Sequence, residues 1–230
     1  MGNRHLFIAD VIGRIGICTY SILVVWTKIA RTMTTGDYSS HGVVFIIAEI
    51  AAILFIGMMC VVTLTRMPQV RSARGIEPYL TAMGGTFLFL LIAFLPPPMV
   101  LPDAVRIAAM VLMIIGFLSS AYMLAILGRS FSIAPGARAL VTTGPYSIVR
   151  HPLYLTEEIF IIGMILFSFS PWTVFLGIVH WGLQLRRMSN EETVLWAAFP
   201  DYRSYAERVP KVIPFLPMRS KRAATTGSLR

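Results

Sequence analysis

Long uncharged apolar runs alternate along this chain with short breaks that are polar, basic or marked by proline. Four runs, at about 11–30, 42–65, 79–101 and 104–127, are each long enough to form a membrane-crossing helix. About 20 apolar residues in a helix traverse a hydrocarbon core of roughly 30 Å with every backbone group bonded internally. A fifth apolar region, 153–185, is too long for one crossing and is interrupted at "SFSPW" by Pro171. Proline inside a helical pattern ends or kinks the helix just before it, so the region predicts a hairpin of helices at about 153–169 and 172–187. The whole pattern predicts an all-α, polytopic membrane bundle of five or six segments, five if the hairpin is only partly inserted.

Composition agrees, with 56% hydrophobic and 13% charged residues against about 25% charged in an ordinary soluble domain. The net charge of +9 raises the question of nucleic acid, but its distribution points to lipid. With the N-terminus inside, the cytoplasmic segments hold Arg4, Arg66, Arg71, Arg74, Arg129, Arg138, Arg150, Arg186, Arg187 and the basic tail, and the outer loops only Lys28, Arg31 and Arg106. This is the positive-inside bias, and anionic headgroups are the natural partner of those arginines. Cys18 and Cys60 are too few and too dispersed for a disulfide framework or zinc site and read as packing residues. The start of the chain lacks myristoylation and signal-peptide features, so the first helix is expected to stay as an anchor.

The texture changes near residue 128. Residues 1–127 read as N-terminal transmembrane helices, in which Glu49 is the exceptional acid, expected as a helix–helix hydrogen bond or a cavity residue. Residues 128–218 read as a functional core and 219–230 as a basic, flexible tail. The core opens with some 25 polar residues ending in "GPYSIVRHPLYL", and loops of that length are usually functional or disordered. After the hairpin, "RRMSNEETVLWAAFPDYRSYAERVPKVIPF" reads as an amphipathic juxtamembrane segment able to lie over the cytoplasmic ends of the bundle.

Gly144 permits a positive φ or a close backbone approach. Pro145 and Pro152 stiffen the backbone on either side of "YSIVRH", Pro152 as the first residue of a helix. The first-turn N–H groups of Tyr154 and Leu155 then offer donors and partial positive charge to a carboxylate or phosphate, and Arg150 adds a two-pronged donor. Arg150 and His151 read equally well as interfacial residues at a positive-inside boundary. Glu191 and Glu192 point about 100° apart on a helix, so one of them at most faces a pocket, and a solvated pair is the plainer reading. Tyr202, Tyr205 and Arg208 suggest an aromatic and arginine face, for headgroups or for a site. Glu157 and Glu158 lie one turn into a membrane helix, one expected to snorkel or to pair with Arg150 or Arg186, the other to line a cavity. The four histidines are scattered, and no phosphate-loop, dinucleotide, zinc-protease or serine-hydrolase motif is present.

In order and spacing these pieces resemble the isoprenylcysteine carboxyl methyltransferase family and its phospholipid methyltransferase relatives. The pattern G-P-Y-x-x-x-R-H-P-x-Y is matched at Gly144, Pro145, Tyr146, Arg150, His151, Pro152 and Tyr154. After the hairpin, E-E-x-x-L and F-x-x-x-Y-x-x-Y-x-x-R-V-P are matched at Glu191, Glu192, Leu195, Phe199, Tyr205, Arg208, Val209 and Pro210, with the first tyrosine displaced to Tyr202. The resemblance covers roughly 127–214. It implies S-adenosylmethionine in a pocket formed by the loop, hairpin and C-terminal helix, and a lipophilic acceptor, prenylated or phospholipid, entering from the bilayer; the scattered histidines already argue for no metal. It also implies that the backbone near His151, Leu153 and Tyr154 and the Tyr146 ring hold the cofactor. Glu191 and Glu192 would meet its amino-acid end, and Arg208 with Tyr205 would line the join with the acceptor. Thr156 departs from the glycine many relatives carry there.

Such chemistry is self-consistent. The cofactor bears a carboxylate, an ammonium and a sulfonium, and in-line methyl transfer needs alignment more than a base, proximity and orientation supplying up to roughly 7–11 kcal/mol. A carboxylate acceptor needs no general base, and Arg150 or Arg208 would hold it; an amine must lose a proton, which calls for an acid such as Glu157. A lipid-binding scaffold or transporter is the non-enzyme alternative.

Overall fold

The computed structural model describes residues 2–35, 42–96 and 98–214; the basic tail expected at 219–230, and the side chains of Arg4, Lys28 and Arg31, lie outside the described residues. Among the described residues seven α-helices follow one another: α1 (Gly2–Thr35), α2 (Gly42–Thr65), α3 (Glu77–Phe87), α4 (Asp103–Leu127), α5 (Pro152–Phe167), α6 (Pro171–Ala198) and α7 (Tyr202–Arg208). The mostly helical architecture expected from the apolar pattern is present, with one addition. Two-residue strands β1 (Arg71–Ser72) and β2 (Gly136–Ala137) pair antiparallel, Arg71 opposite Ala137 and Ser72 opposite Gly136.

Among the described residues three helices are long and apolar enough to cross a membrane: α2, α3 with the 3-10 stretch that continues it to Phe94, and α4 with the short turn after it. Gly13–Thr27 in α1 is apolar but shorter. Large apolar side chains on the outer faces stay exposed, as Trp172, Phe175, Ile178 and Trp181 do along α6, which is how a helix facing lipid is patterned.

Local chemistry sets the ends. Pro102 precedes α4 and Asp103 sits in its first turn, where a negative charge suits the helix dipole. The helix stops at Gly128, whose φ of +48° takes the chain out of the helical path. The break at Pro171 falls where expected, and Ser170 caps α6 by accepting from the Thr173 amide while the Thr173 hydroxyl accepts from the Ser170 amide. The second hairpin helix differs from expectation: α6 runs to Ala198 rather than ending near 187, because no breaker intervenes before Phe199-Pro200. The acidic pair is therefore carried by the hairpin helix itself, and among the described residues α7 alone follows it as a separate helix.

The packed centre lies between α2, α4 and α5. Phe117 stacks on Phe160 with centroids 4.6 Å apart, and Phe55 sits against both at 5.8 and 5.7 Å. Glycines let α4 and α5 approach: a Cβ on Gly116 would lie 2.4 Å from the Phe160 nitrogen, and one on Gly163 2.8 Å from the Ala109 carbonyl oxygen. Small residues at such crossings are the usual device of membrane helices.

Three arginines near the end of α2 donate to backbone carbonyls. Arg129 Nε donates to the Thr65 carbonyl at 2.9 Å, Arg14 donates to Leu64 and Arg66 carbonyls, and Arg138 donates to the Met67 carbonyl. The carbonyls at the end of α2 have no intrahelical partner, and arginine supplies one. Together with Met67 N–H bonding Arg129 O at 2.8 Å and the β1–β2 pairing, these contacts gather the loop after α2 and the loop after α4 on one side of the bundle.

Candidate active site

The long connection 128–152 is an ordered wall. Phe131 and Ile133 are buried in the core, and β2 is held so tightly against the first loop that a Cβ on Gly136 would lie 2.7 Å from Gln69 Oε1. At the turn 144–147, Gly144 takes a φ of +60°, a conformation glycine adopts freely, and Pro145 begins a 3-10 turn that buries Tyr146. The Arg150 amide then donates to Pro210 O at 2.9 Å and the His151 amide to Lys211 O at 3.2 Å, so "RH" is tied to the chain just after α7. Pro152 is the first residue of α5, as its ring geometry favours.

Loop, α5, α6 and α7 enclose a cleft with about 820 Å³ of space between its walls, part of it open to solvent. The volume open to water within it is only about 100 Å³, so the walls stand close together. Of the candidate residues, Tyr146, Arg150, His151, Leu153, Tyr154, Glu191 and Tyr205 line it. They reach one place from four elements because Tyr154 donates to Glu191 Oε1 across the hairpin, Tyr205 Oη donates to Tyr146 O at 2.6 Å, and Arg187 lies 5.1 Å over the Tyr154 ring.

The other candidates are placed elsewhere. Glu192 is one position round from the cleft, 3.3 Å from Arg150 Nη2, 3.1 Å from His151 Nε2 and 3.7 Å from Lys211 Nζ. One acid therefore faces the cleft and its neighbour braces the wall; neither is merely solvated. Gly144, Pro145 and Pro152 shape the turn and helix start without lining the cleft. The Leu155 amide is taken by His151 O at 3.4 Å, and the His151 amide by Lys211, so neither donor is available to a ligand. Glu157 is outside the cleft and accepts from Gln184 Nε2 at 2.8 Å, while Glu158 lies 3.2 Å from His180 Nδ1; neither pairs with Arg150 or Arg186. Arg208 is exposed at the end of α7 and does not line the cleft. Six residues on from Tyr202 is 240° round a helix, so it cannot share the face of Tyr202 and Tyr205, both buried.

Sequence reasoning passed over Arg187, Arg138, Leu195 and the stretch Ser130–Ser132 as cleft wall, while Tyr202, read as facing headgroups or a site, does line it. Arg187 had a legible signal: with Glu191 four residues on and Gln184 and His180 behind it, it marks one polar stripe on an otherwise apolar helix. Those four side chains meet Tyr154, Glu157 and Glu158 rung by rung between α5 and α6. The role of 130–132 and Arg138 depends on a loop pairing that leaves no local mark.

The cleft carries both signs of charge in little water. Burial pushes the Tyr146 hydroxyl far above its ordinary value, and the Glu191 charge adds to this. Burial likewise raises Tyr205 to about 12, opposed by the Arg150 charge. Burial opposes ionisation of Glu192, yet the hydrogen bond and charge of His151, with Arg150 and Lys211, hold its carboxyl below the usual range. The buried Tyr146 hydroxyl has no hydrogen-bond partner among the described residues, an arrangement that suits a polar ligand atom.

In comparison with known proteins, residues 104–201, which hold nearly all of α4, the loop, the hairpin and both acids, match the family model described as phospholipid methyltransferase. This bears out the resemblance read from the motifs, and it extends upstream to include α4. The chain is 36% identical over 98 residues to the protein-S-isoprenylcysteine O-methyltransferase of Schizosaccharomyces pombe, covering 39% of this chain and 41% of that protein. It is 34% identical over 96 residues to protein-S-isoprenylcysteine O-methyltransferase B of Arabidopsis thaliana, 39% of this chain and 49% of the relative. It is also 36% identical over 78 residues to the cobalt-zinc-cadmium resistance protein CzcN of Cupriavidus metallidurans, 34% and 36% of the two chains. The chain thus spans less than half the length of these curated relatives.

Proposed function

We propose that this protein is an integral-membrane methyltransferase that uses S-adenosylmethionine to methylate a lipophilic acceptor, with carboxyl O-methylation of an isoprenylcysteine-type group as the favoured reaction. The observation that supports it most is the convergence of Arg150, Arg187 and Glu191 on one narrow cleft within the segment that matches methyltransferases. S-adenosylmethionine needs acceptors for its ammonium and donors for its carboxylate. Glu191 supplies the first. Arg150 and the first-turn amides of Leu153 and Tyr154 at the α5 N-terminus supply the second. Tyr146, Leu153, Leu195 and Tyr202 offer the aromatic and apolar surface for the adenosyl part.

Methyl transfer is a displacement at carbon in which the acceptor oxygen forms a bond as the sulfonium–methyl bond breaks, and neutral sulfide leaves. The residues need to align and to exclude water, and the closeness of the walls suits both. A carboxylate acceptor arrives already ionised, and Arg187, at the hairpin end of the cleft, is placed to hold it. Glu157, the acid an amine acceptor would call upon, is engaged by Gln184 outside the cleft, which favours the carboxylate. N-methylation of a phospholipid amine is the second reading, favoured by the description of the matching family. By the positive-inside bias the cleft faces the cytoplasm, since the arginine-rich loops 66–76 and 128–152 lie on its side. The hairpin and α1 bring the membrane segments to five or six.

The test is incubation of the purified protein with methyl-labelled S-adenosylmethionine and either a farnesylcysteine analogue or phosphatidylethanolamine vesicles. Label released as methanol by mild base supports the carboxyl ester; base-stable label in lipid supports the amine. Absence of saturable S-adenosylmethionine binding would overturn both.

A further inference from the structure

A second cleft lies on the same side of the bundle, behind the helix that walls the first. Between the loop 71–78 and α6 it has a volume of about 440 Å³, within the roughly 300–1,000 Å³ of small-molecule sites. Three arginines, Arg71, Arg74 and Arg186, line it with one acid, Glu77, and with Ser72, Ser189 and Thr193. Glu77 is already engaged by Arg186 Nε at 2.7 Å and by Asn190 Nδ2 at 3.2 and 3.3 Å. Arg71 spends one nitrogen on the Ala197 carbonyl, and Arg74 makes no ion pair among the described residues. An excess of guanidinium donors over acceptors in a concave site is the chemistry of an anion with several oxygens.

Its place in the bundle narrows the anion further. Glu77 opens the membrane-crossing stretch 77–94, so the cleft stands at the level where α3 leaves the apolar layer. Ile76 and Leu80, which flank the lining residues Glu77 and Pro78 in the chain, are exposed, at 73% and 61%. A ligand with phosphate oxygens at one end and hydrocarbon at the other satisfies both surfaces at once. We propose that this cleft is a binding site for the headgroup of an anionic phospholipid, its phosphate held by Arg71, Arg74 and Arg186 and its acyl chain lying along Ile76 and Leu80. Basic pockets beside transmembrane helices on the cytoplasmic face hold such headgroups in general. Arg186, Asn190, Thr193 and Ala197 present one face of α6 to this site. Arg187, Glu191 and Leu195, about 100° round, present another to the first cleft. The proposal needs no methyl transfer to be true.

Native mass spectrometry of the full chain in neutral detergent, titrated with phosphatidylglycerol, phosphatidylcholine or inorganic phosphate, tests it. One phosphatidylglycerol should be retained where phosphatidylcholine is lost, and the Arg71→Gln/Arg74→Gln variant should need at least fivefold more lipid for equal occupancy. Arg203→Gln, a remote exposed arginine, should match the parent. Arg74→Gln alone, which breaks no ion pair or side-chain hydrogen bond among the described residues, should still need about threefold more and covers the case in which the double variant fails to fold. Unchanged occupancy in both arginine variants, or equal retention of phosphatidylcholine, would overturn the proposal. So would displacement of the lipid by millimolar phosphate, which would mark a site for a free anion.

Discussion

The Tyr205 hydroxyl donates to the Tyr146 carbonyl oxygen at 2.6 Å, and both residues are buried. This bond joins the seven-residue helix α7 to the turn made by Gly144 and Pro145, 59 residues earlier. A helix so short has little stability of its own, and the bond, with Tyr202, Ala206 and Val209 packed around it, is what seats it over the cleft. Tyr205→Phe keeps the ring and leaves a buried carbonyl without its partner, which costs about 1–3 kcal/mol. The expected outcome is a lower thermal midpoint and weaker S-adenosylhomocysteine binding, with α-helical content by circular dichroism unchanged.

Acid should loosen the same wall through Glu192. Its carboxyl is held below the ordinary glutamate range by His151, Arg150 and Lys211, so the stabilisation it gives is present above the unfolded value near 4.3. That stabilisation is lost as pH falls through the lower folded value. In thermal melts taken from pH 7 down to 3, the parent should lose more stability in the acid limb than Glu192→Gln. Equal acid limbs would show that the carboxylate does not brace the wall.

Cleft geometry separates Arg187, which the motifs leave out, from Arg208, which they include. Arg187 is buried against Tyr154 and 3.6 Å from Glu191, whereas Arg208 is exposed on another face. Calorimetric titration with S-adenosylhomocysteine should show Glu191→Gln weaker by at least tenfold, Arg187→Met weaker too because it removes the charge beside Glu191, and Arg208→Ala within about twofold of the parent. A tenfold loss in Arg208→Ala would mean that α7 turns its last residue into the cleft when the ligand binds.

Close approach of α4 and α5 is the structural requirement beneath the site. Gly116→Ala places a methyl group 2.4 Å from the Phe160 nitrogen, a backbone atom that cannot swing aside. Overpacking of this kind costs about 1–3 kcal/mol, and a crossing between backbones gives little room to relax. The variant should melt well below the parent, while Gly57→Ala, where a Cβ meets nothing within 4 Å, should not.

Cys18 and Cys60 offer a check on the helix pairing in the N-terminal half. Their sulfurs are 3.2 Å apart across α1 and α2. Mild copper-phenanthroline oxidation should abolish maleimide labelling of both thiols together, and the Cys18→Ser variant should keep Cys60 reactive under the same treatment. Independent oxidation of the two would place the helices apart.

Much of this architecture could be read from the chain. Helix positions followed from the length of apolar runs, since a membrane leaves backbone groups no partner but their own helix. The hairpin break followed from Pro171, and the functional stretch from a cluster of charge, proline and glycine in a chain that otherwise avoids charge. Ordered motifs also pointed to seven of the residues that line the cleft. The misplacements share one cause. Glu157, Arg208 and the amide of Leu155 have the right chemistry, and only the local helical phase and the partners brought by distant segments take them out of reach.

What the sequence alone determined is therefore what depends on local interactions and on the solvent: the apolar spans, the start of α5 at Pro152, and the class of chemistry carried by "GPYSIVRHPLY" and "NEET". What only the tertiary structure decided is which charges meet. Arg129, Arg138 and Arg14 turn inward because the carbonyls at the end of α2 stand bare beside them. Glu191 enters the cleft while Glu192 grips Arg150 because a 100° step on α6 is resolved by what packs on either side. Pairings of that kind join residues dozens of positions apart, and no local pattern in the chain encodes them.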